Sequence, residues 1–107
     1  MRPFVKRKDR ELVYKEFHHI CVACGLHCPH TKDEKVYYGI AQVMRKGIPT
    51  PKHVRLTIDH FVPVALGGKY CRKNYIPLCE LCNVMKADQD PLAWALSLDT
   101  PSNHLPR

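Results

Sequence analysis

The stretch NYIPLCELCNVMK, residues 74–86, combines a strand pattern, a pair of cysteines and the start of a helix. Residues 74–79 have the apolar and extended character of a short strand, and residues 79–90 are predicted to form a helix that starts near the cysteines. Cys79 and Cys82 are separated by two residues, so both sulfurs can reach one metal ion from a single turn. This stretch therefore predicts a strand and a helix joined at a metal site.

A second pair of cysteines, Cys21 and Cys24, is followed by Gly25, which supplies the backbone freedom that such a turn needs. Two pairs predict a closed tetrahedral site with four thiolate ligands, which is the structural type of zinc site. A redox CxxC is the alternative, but the thioredoxin-like pattern that accompanies it is absent. We interpret Cys28 as a spare thiol and Cys71 as a bystander, while a second metal site that uses Cys28 with His27 and His30 stays open.

The composition describes a small basic domain. The chain has 107 residues, six cysteines, seven histidines and a formal net charge of +7. A core of this size has a thin stability margin, so a metal is expected to add stability, and the positive charge favours a nucleic acid over a merely solvated surface. No signal peptide and no membrane-spanning segment are predicted, which favours a cytoplasmic protein with reduced cysteines.

The organisation of the chain is predicted as one domain over residues 1–107. A basic N-terminal helix or arm is predicted over residues 1–16, and an amphipathic pattern predicts a short helix over residues 9–18. A zinc-stapled core follows over residues 17–88, and a short helix and tail complete residues 89–107, with Asp90 as N-cap and Pro91 at the first helical position. Within the core, residues 27–35 are predicted as a loop, 36–48 as either a strand and turn or a short helix, 48–53 as a connection because of two prolines, and 53–63 as a strand.

Asp59 and His60 lie side by side in that last strand, in the sequence LTIDHFVP. Neighbours on a strand point to opposite faces, so both can serve one site only where the strand bends or ends, as Pro63 indicates. Asn83 follows the second cysteine pair, which would fix its position. The Asp59 carboxylate and the Asn83 amide oxygen suit Mg²⁺, and a neutral His60 imidazole suits a general base. The surrounding cations expected to keep such a site positive are Lys69, Arg72, Lys73 and Lys86.

The order CxxCG, D-H-x-x-P, GG and N-Y-I-P-L-C-x-x-C-N-x-x-K over residues 17–88 resembles the HNH endonuclease family in its four-cysteine form. The resemblance implies an α+β fold, namely a zinc-stabilised ββα-metal (His-Me finger) domain with short flanking helices. It also implies a nuclease that hydrolyses DNA phosphodiester bonds and leaves a 5′-phosphate and a 3′-hydroxyl. Members of this size are usual in phages and mobile elements, which would place the protein in a bacterial host, and a partner protein could supply specificity.

The same resemblance assigns roles to individual residues. His60 would be the general base, and Asp59 and Asn83 would bind a catalytic Mg²⁺ or Mn²⁺. Asn74 would hold the loop and orient the base, and Lys86 could contact phosphate. Asn83 stands where many members have histidine, which tilts the preference away from softer transition metals. The structural zinc ligands would be Cys21, Cys24, Cys79 and Cys82.

Two other functions remain open from the sequence. A non-catalytic four-cysteine zinc domain that binds nucleic acid or protein explains the cysteines and the charge, but not the Asp59–His60 pair. A redox or metal-sensing protein would use Cys28 and Cys71. The segment with Tyr37, Tyr38, Arg45 and Lys46 is longer than the resemblance implies, and it could add a strand or contact DNA.

Overall fold

The computed structural model describes residues 5–32 and 36–98, and it confirms the predicted α+β class. Its four strands form one antiparallel sheet in the order β1-β2-β3-β4, accompanied by three α-helices. The expected strand–strand–helix unit is formed by β3, β4 and α2. In chain order the elements are α1 (Arg7–Glu16), β1 (His30–Lys32), β2 (Val36–Arg45), β3 (Ile48–His60), β4 (Tyr75–Cys79), α2 (Glu80–Lys86) and α3 (Pro91–Leu98).

Strands β2 and β3 form a long hairpin, which decides between the two alternatives left open for residues 36–48. Arg45 pairs with Ile48 across a turn made by Lys46 and Gly47. Both turn residues have positive φ, 51° for Lys46 and 79° for Gly47. Two-residue turns of this hand match the twist of paired strands, so the segment is a strand and turn rather than a helix.

Two predicted connections turn out to be strands. Residues 48–53 were predicted as a connection, but Pro49 and Pro51 lie within β3, opposite Met44 and Gln42. Strand β4 pairs with β3 only from Leu56 onward, so the first half of β3 has an unpaired side. A proline whose nitrogen faces that side costs the sheet no hydrogen bond. The predicted loop 27–35 is also wrong in part, because residues 30–32 pair with β2 as β1. Residues 33–35 lie outside the described residues.

The helices lie where the sequence predicts them, with shifted ends. Helix α1 begins and ends two residues earlier than the predicted 9–18. Helix α2 is shorter than predicted and ends at Lys86, because Ala87 has a φ of 48° that breaks the helical backbone. In α3, Asp90 Oδ2 accepts a hydrogen bond from the Ala93 N–H at 3.0 Å, the expected N-cap. The predicted tail, residues 99–107, lies outside the described residues.

The core is formed by buried residues of α1, β3, β4 and α3, together with Cys21, Cys28 and Cys82. Its buried members include Tyr14, Val54, Leu56, Leu78 and Trp94. The Tyr14 hydroxyl donates to the Leu56 carbonyl at 3.1 Å, and burial raises the pKa of Tyr14 to about 12. Within the described residues, no helix is long and apolar enough to cross a membrane. This core holds the paired part of β3 in place under the site described below.

Candidate functional site

The four predicted zinc ligands come together. The sulfurs of Cys21, Cys24, Cys79 and Cys82 all lie within 4.8 Å of one another, and three of these residues are buried. Four sulfurs on a tetrahedron around zinc, each about 2.3 Å from the ion, stand about 3.8 Å apart. The Cys24 and Cys79 sulfurs are 3.8 Å apart. Among the described residues this cluster is thus positioned to bind a metal ion, and four thiolates suit zinc.

Local backbone geometry positions each pair of cysteines. Around the first pair the chain turns back on itself, with Cys21 N–H donating to Leu26 O at 2.9 Å and Gly25 in the left-handed region at a φ of 81°. In the second pair the Cys79 sulfur accepts from the Cys82 N–H at 3.5 Å, which caps α2. Hydrogen bonding from Cys24 and then from the other two thiols lowers the pKa of Cys21 well below its ordinary value. The thiolate, the form that binds metal, is therefore favoured at Cys21, while the neighbouring thiols raise the pKa of Cys79 and of Cys82.

The two remaining cysteines lie outside the cluster. Cys28 is fully buried, with its sulfur 3.8 Å from the Val54 carbonyl oxygen, and burial raises the pKa of its thiol to about 11. Cys71 is exposed in the loop before β4. The interpretation of Cys28 as a spare thiol fits its place in the core. The described residues hold no second group of three or more ligands that would join Cys28 with His27 and His30.

Thiol labelling is expected to separate these two cysteines. A small alkylating reagent at pH 8 should modify Cys71 rapidly in the folded, zinc-loaded protein and leave Cys28 unmodified, because Cys28 is buried and protonated. Mass spectrometry of tryptic peptides measures both rates, and protein denatured with a chelator serves as the fully labelled control. Equal labelling of the two cysteines in the folded protein would contradict the prediction and would favour a redox role for Cys28.

Helix α2 places polar side chains over one face of β3. Thr57 and Asp59 are two residues apart on β3, so their side chains lie on that face, while Asn83 and Lys86 are three residues apart and lie on one side of α2. Asn83 Nδ2 donates to Thr57 Oγ1 at 2.8 Å, and the Lys86 ammonium lies 2.7 Å from Asp59 Oδ2. Thr57 in turn donates to the Leu78 carbonyl at 2.7 Å. The structure thus brings Asp59, Asn83 and Lys86 together at the end of β3.

Thr57 was missed in the sequence, although it could have been found. It stands two residues before Asp59, so strand periodicity places both side chains on the same face. Its hydroxyl takes one amide hydrogen of Asn83, which fixes the side-chain amide of the predicted metal ligand. The Asp59 carboxylate and the Asn83 amide oxygen are hard oxygen donors, a donor set that fits Mg²⁺ or Mn²⁺.

His60 ends β3 and lies between two tyrosines. Its ring stands edge-on to Tyr70 at 4.5 Å and to Tyr75 at 5.3 Å between centroids. Its Nε2 atom is buried and has no hydrogen-bond partner within residues 5–32 and 36–98. Burial lowers the pKa of His60, an effect that Asp59 opposes and Lys86 reinforces. A neutral imidazole with an unused nitrogen is therefore held at the end of the strand.

Asn74 ties down the loop that follows His60. Its Oδ1 accepts from the Val62 N–H at 2.9 Å, and its Nδ2 donates to the Val62 and Lys69 carbonyls at 3.1 and 3.0 Å. Its backbone carbonyl accepts from the Phe61 N–H at 2.8 Å. Three of these hydrogen bonds fix Phe61 and Val62, directly after His60, and the fourth connects them to Lys69. Asn74 is placed to hold the loop, as the resemblance implies.

Lys86 is buried, whereas the predicted contact with phosphate would need an exposed side chain. Its side chain is fully buried, and its ammonium donates to the His60 carbonyl at 3.0 Å beside the Asp59 carboxylate. The ammonium also lies 5.4 Å from the centre of the Trp94 ring, a cation–π distance. Lys86 therefore fixes the backbone of His60 and the side chain of Asp59. The exposed cations near the site are Lys69, Arg72 and Lys73, of which Arg72 pairs with Glu16 at 2.7 Å.

Replacing Lys86 by methionine is expected to destabilise the fold. Removing one partner of a buried ion pair leaves a charge without compensation. The expected cost is about 3 kcal/mol, the low end of the usual range, because the Asp59 side chain is 16 % exposed and water can solvate part of its charge. Urea denaturation of the zinc-loaded variants measures this cost. The matched control is K86M combined with D59N, which removes both charges and should recover much of the loss. A K86M protein as stable as the wild type would contradict this role.

Comparison with known proteins agrees with the geometry. Residues 46–89 match the family model described as HNH endonuclease. The matched segment contains β3, β4 and α2, with Asp59, His60, Asn74 and Asn83. The first cysteine pair and the β1–β2 segment lie outside it. No curated protein sequence matches the chain. The predicted resemblance is thereby confirmed over the segment that carries the candidate site.

Proposed function

We propose, from the HNH endonuclease match over residues 46–89, that the protein is a metal-dependent endonuclease that hydrolyses phosphodiester bonds of DNA. The observation that supports this most is the junction of β3 with α2. There, a half-buried imidazole with a buried, unused nitrogen stands next to a carboxylate, and an amide lies on the adjacent helix. A zinc ion bound by the four cysteines would hold this junction together. The net charge of +7 suits a nucleic acid substrate.

His60 acts as the general base in this proposal. Its Nε2 takes a proton from the water that attacks phosphorus, and the edges of Tyr70 and Tyr75 hold the ring in place. Asn74 fixes the backbone after His60, and Lys86 fixes its carbonyl. Together these contacts hold the imidazole in one orientation, which general-base catalysis requires.

Asp59 and Asn83 would hold the catalytic Mg²⁺ or Mn²⁺. When bound, such an ion neutralises charge on the scissile phosphate and on the leaving oxygen. The hydrogen bond from Asn83 to Thr57 orients the amide toward this role, and Lys86 limits the movement of the Asp59 carboxylate. The ion would share that carboxylate with the Lys86 ammonium.

Plasmid cleavage tests the proposal directly. Supercoiled DNA incubated with zinc-loaded protein should be nicked or linearised when Mg²⁺ or Mn²⁺ is added and stay intact without either ion. Asn83→Ala removes a metal ligand and should raise the Mn²⁺ concentration needed for half-maximal cutting about tenfold. Thr50→Ala is the matched control, since Thr50 is half-buried near the turn of the hairpin, where its hydroxyl donates to the Ile48 carbonyl at 3.0 Å. Cutting by Asn83→Ala at wild-type Mn²⁺ concentrations would contradict the assigned ligand.

One observation favours a second function, a zinc domain that binds nucleic acid or protein without cutting. Lys86 already neutralises Asp59 at 2.7 Å, so the carboxylate is compensated without a divalent ion. A catalytically silent domain would keep this ion pair as part of its core. Tight DNA binding with no cleavage in any divalent ion would support this alternative over the nuclease.

A further inference from the structure

A concave site on the β2–β3 hairpin takes no part in the function proposed above. It has a volume of about 530 Å³ and is lined by Val36, Tyr38, His53, Arg55 and Glu80. None of these lining residues belongs to the zinc cluster or to the Asp59–His60 pair, whose place at the end of β3 is called the Asp59–His60 junction below. Its walls are aromatic and charged, which is the mixture that recognises a flat polar ligand.

The register of the sheet places this site on the same face as Asp59. Tyr38 pairs directly with Arg55, so their side chains share a face. Along β3, residues 55, 57 and 59 alternate onto that face, and Glu80 begins α2, which covers it. Arg55 and Asp59 are four residues apart, about 14 Å along an extended strand. A B-form DNA strand covers that distance in about four nucleotides.

The aromatic rings of the site form a corner. The Tyr38 ring stands edge-on to His53 at 5.0 Å and an interplanar angle of 71°. On its other side His30 lies 5.5 Å from Tyr38 at 35°. Tyr38 is half-buried and His53 is exposed, so a planar ligand can stack on one ring and contact the edge of the other. Nucleobases bind single-strand-binding proteins by this kind of stacking.

The polar groups indicate a base rather than a phosphate. Arg55 is exposed and supplies hydrogen-bond donors, and its guanidinium has no ion-pair partner in the described part of the chain. Glu80 supplies a carboxylate, held by a hydrogen bond from the Arg55 backbone N–H at 3.2 Å. A carboxylate repels a phosphate but accepts from the amino groups of bases. A donor and an acceptor beside a stacking surface match the edge and the face of a nucleobase.

We propose that this site binds an unpaired nucleobase of the DNA strand on which the Asp59–His60 junction acts. The base stacks on Tyr38 and His53, while Arg55 and Glu80 contact its edge. A stacked base must be out of its pair, so DNA with a single-stranded flank is the preferred ligand. The choice of DNA rests on the proposed function, whereas the choice of a base rests on the site itself.

Fluorescence of a labelled oligonucleotide tests this proposal. The probe is a single strand of about 12 nucleotides that carries 2-aminopurine, mixed with zinc-loaded protein without added divalent ion. Wild-type protein should quench the aminopurine, and Tyr38→Leu should lose the quenching and weaken binding about tenfold. Tyr38→Phe keeps the ring and should bind as the wild type does. Gln42→Ala is the matched control, since Gln42 lies exposed on the same strand and face.

Two results would overturn the subsite. The first is wild-type affinity and quenching for both Tyr38→Leu and His53→Leu. The second is a loss of affinity for a blunt duplex in these variants that equals their loss for the single strand, because such a loss would indicate contacts to the DNA backbone. Plasmid cleavage by the same proteins separates this from the proposed function. If the wild type cleaves the plasmid and Tyr38→Leu binds the oligonucleotide as tightly as the wild type, the subsite is wrong and the nuclease stands. If the wild type does not cleave but Tyr38→Leu loses oligonucleotide binding, the subsite stands in a protein that does not cut DNA.

Discussion

Cys79→Ser is expected to unfold the protein rather than only inactivate it. Cys79 has three structural roles, since it ends β4, caps α2 through the Cys82 N–H and contributes a sulfur to the four-cysteine cluster. Structural zinc in small domains binds with an apparent free energy of about 10–16 kcal/mol, similar to the whole stability of a domain at about 5–15 kcal/mol. Loss of one thiolate therefore removes most of what holds α2 against β3.

Zinc content and circular dichroism measured together check this expectation. The Cys79→Ser protein should retain well under one zinc per chain and lose the cooperative thermal transition of the wild type. Cys71→Ser is the matched control, because Cys71 is exposed and outside the cluster. Its zinc content and its transition should equal those of the wild type. A folded Cys79→Ser protein with native spectra and cooperative melting would rule out a metal-dependent fold.

The parts of the fold that could be predicted are those with local causes. The two cysteine pairs, the strand over residues 75–79 and the Asp90–Pro91 helix start depend on residues that are close in sequence. The metal cluster also follows from spacing, since each pair presents two sulfurs from one turn. The order of the motifs CxxCG, D-H-x-x-P, GG and N-Y-I-P-L-C-x-x-C-N-x-x-K was enough for the family resemblance, which the match over residues 46–89 confirms in that segment.

The parts that could not be predicted depend on neighbours distant in sequence. Pro49 and Pro51 normally indicate a connection, and they are tolerated in β3 only because β4 does not reach that half of the strand. Residues 30–32 look polar and loop-like, yet β2 supplies the pairing that makes them a strand. The burial of Lys86 needs Asp59, the His60 carbonyl and Trp94 together, and no short sequence pattern contains all of them.

His60→Ala is expected to abolish cleavage while leaving the fold and DNA binding intact. General-base catalysis by a positioned side chain contributes about 10²–10⁴-fold in rate, so the variant should fall by that factor. His60 is half-buried, and within the described residues its ring stands edge-on to Tyr70 and Tyr75, while the His60 carbonyl that Lys86 binds is retained in alanine. A loss of structure is therefore not the expected cause of the lost activity.

The measurement is single-turnover cleavage of a plasmid in Mg²⁺ or Mn²⁺, with zinc content and oligonucleotide affinity determined on the same samples. His18→Asn is the matched control, because it also removes a histidine and His18 is exposed with a positive φ of 57°, which asparagine tolerates. That variant should cut at the wild-type rate. Cleavage by His60→Ala within about threefold of wild type, well below the factor expected of a general base, would assign proton transfer to another group. The role of the β3 end would then be to position the phosphate, with Asp59 and Asn83 as its only chemical contributors.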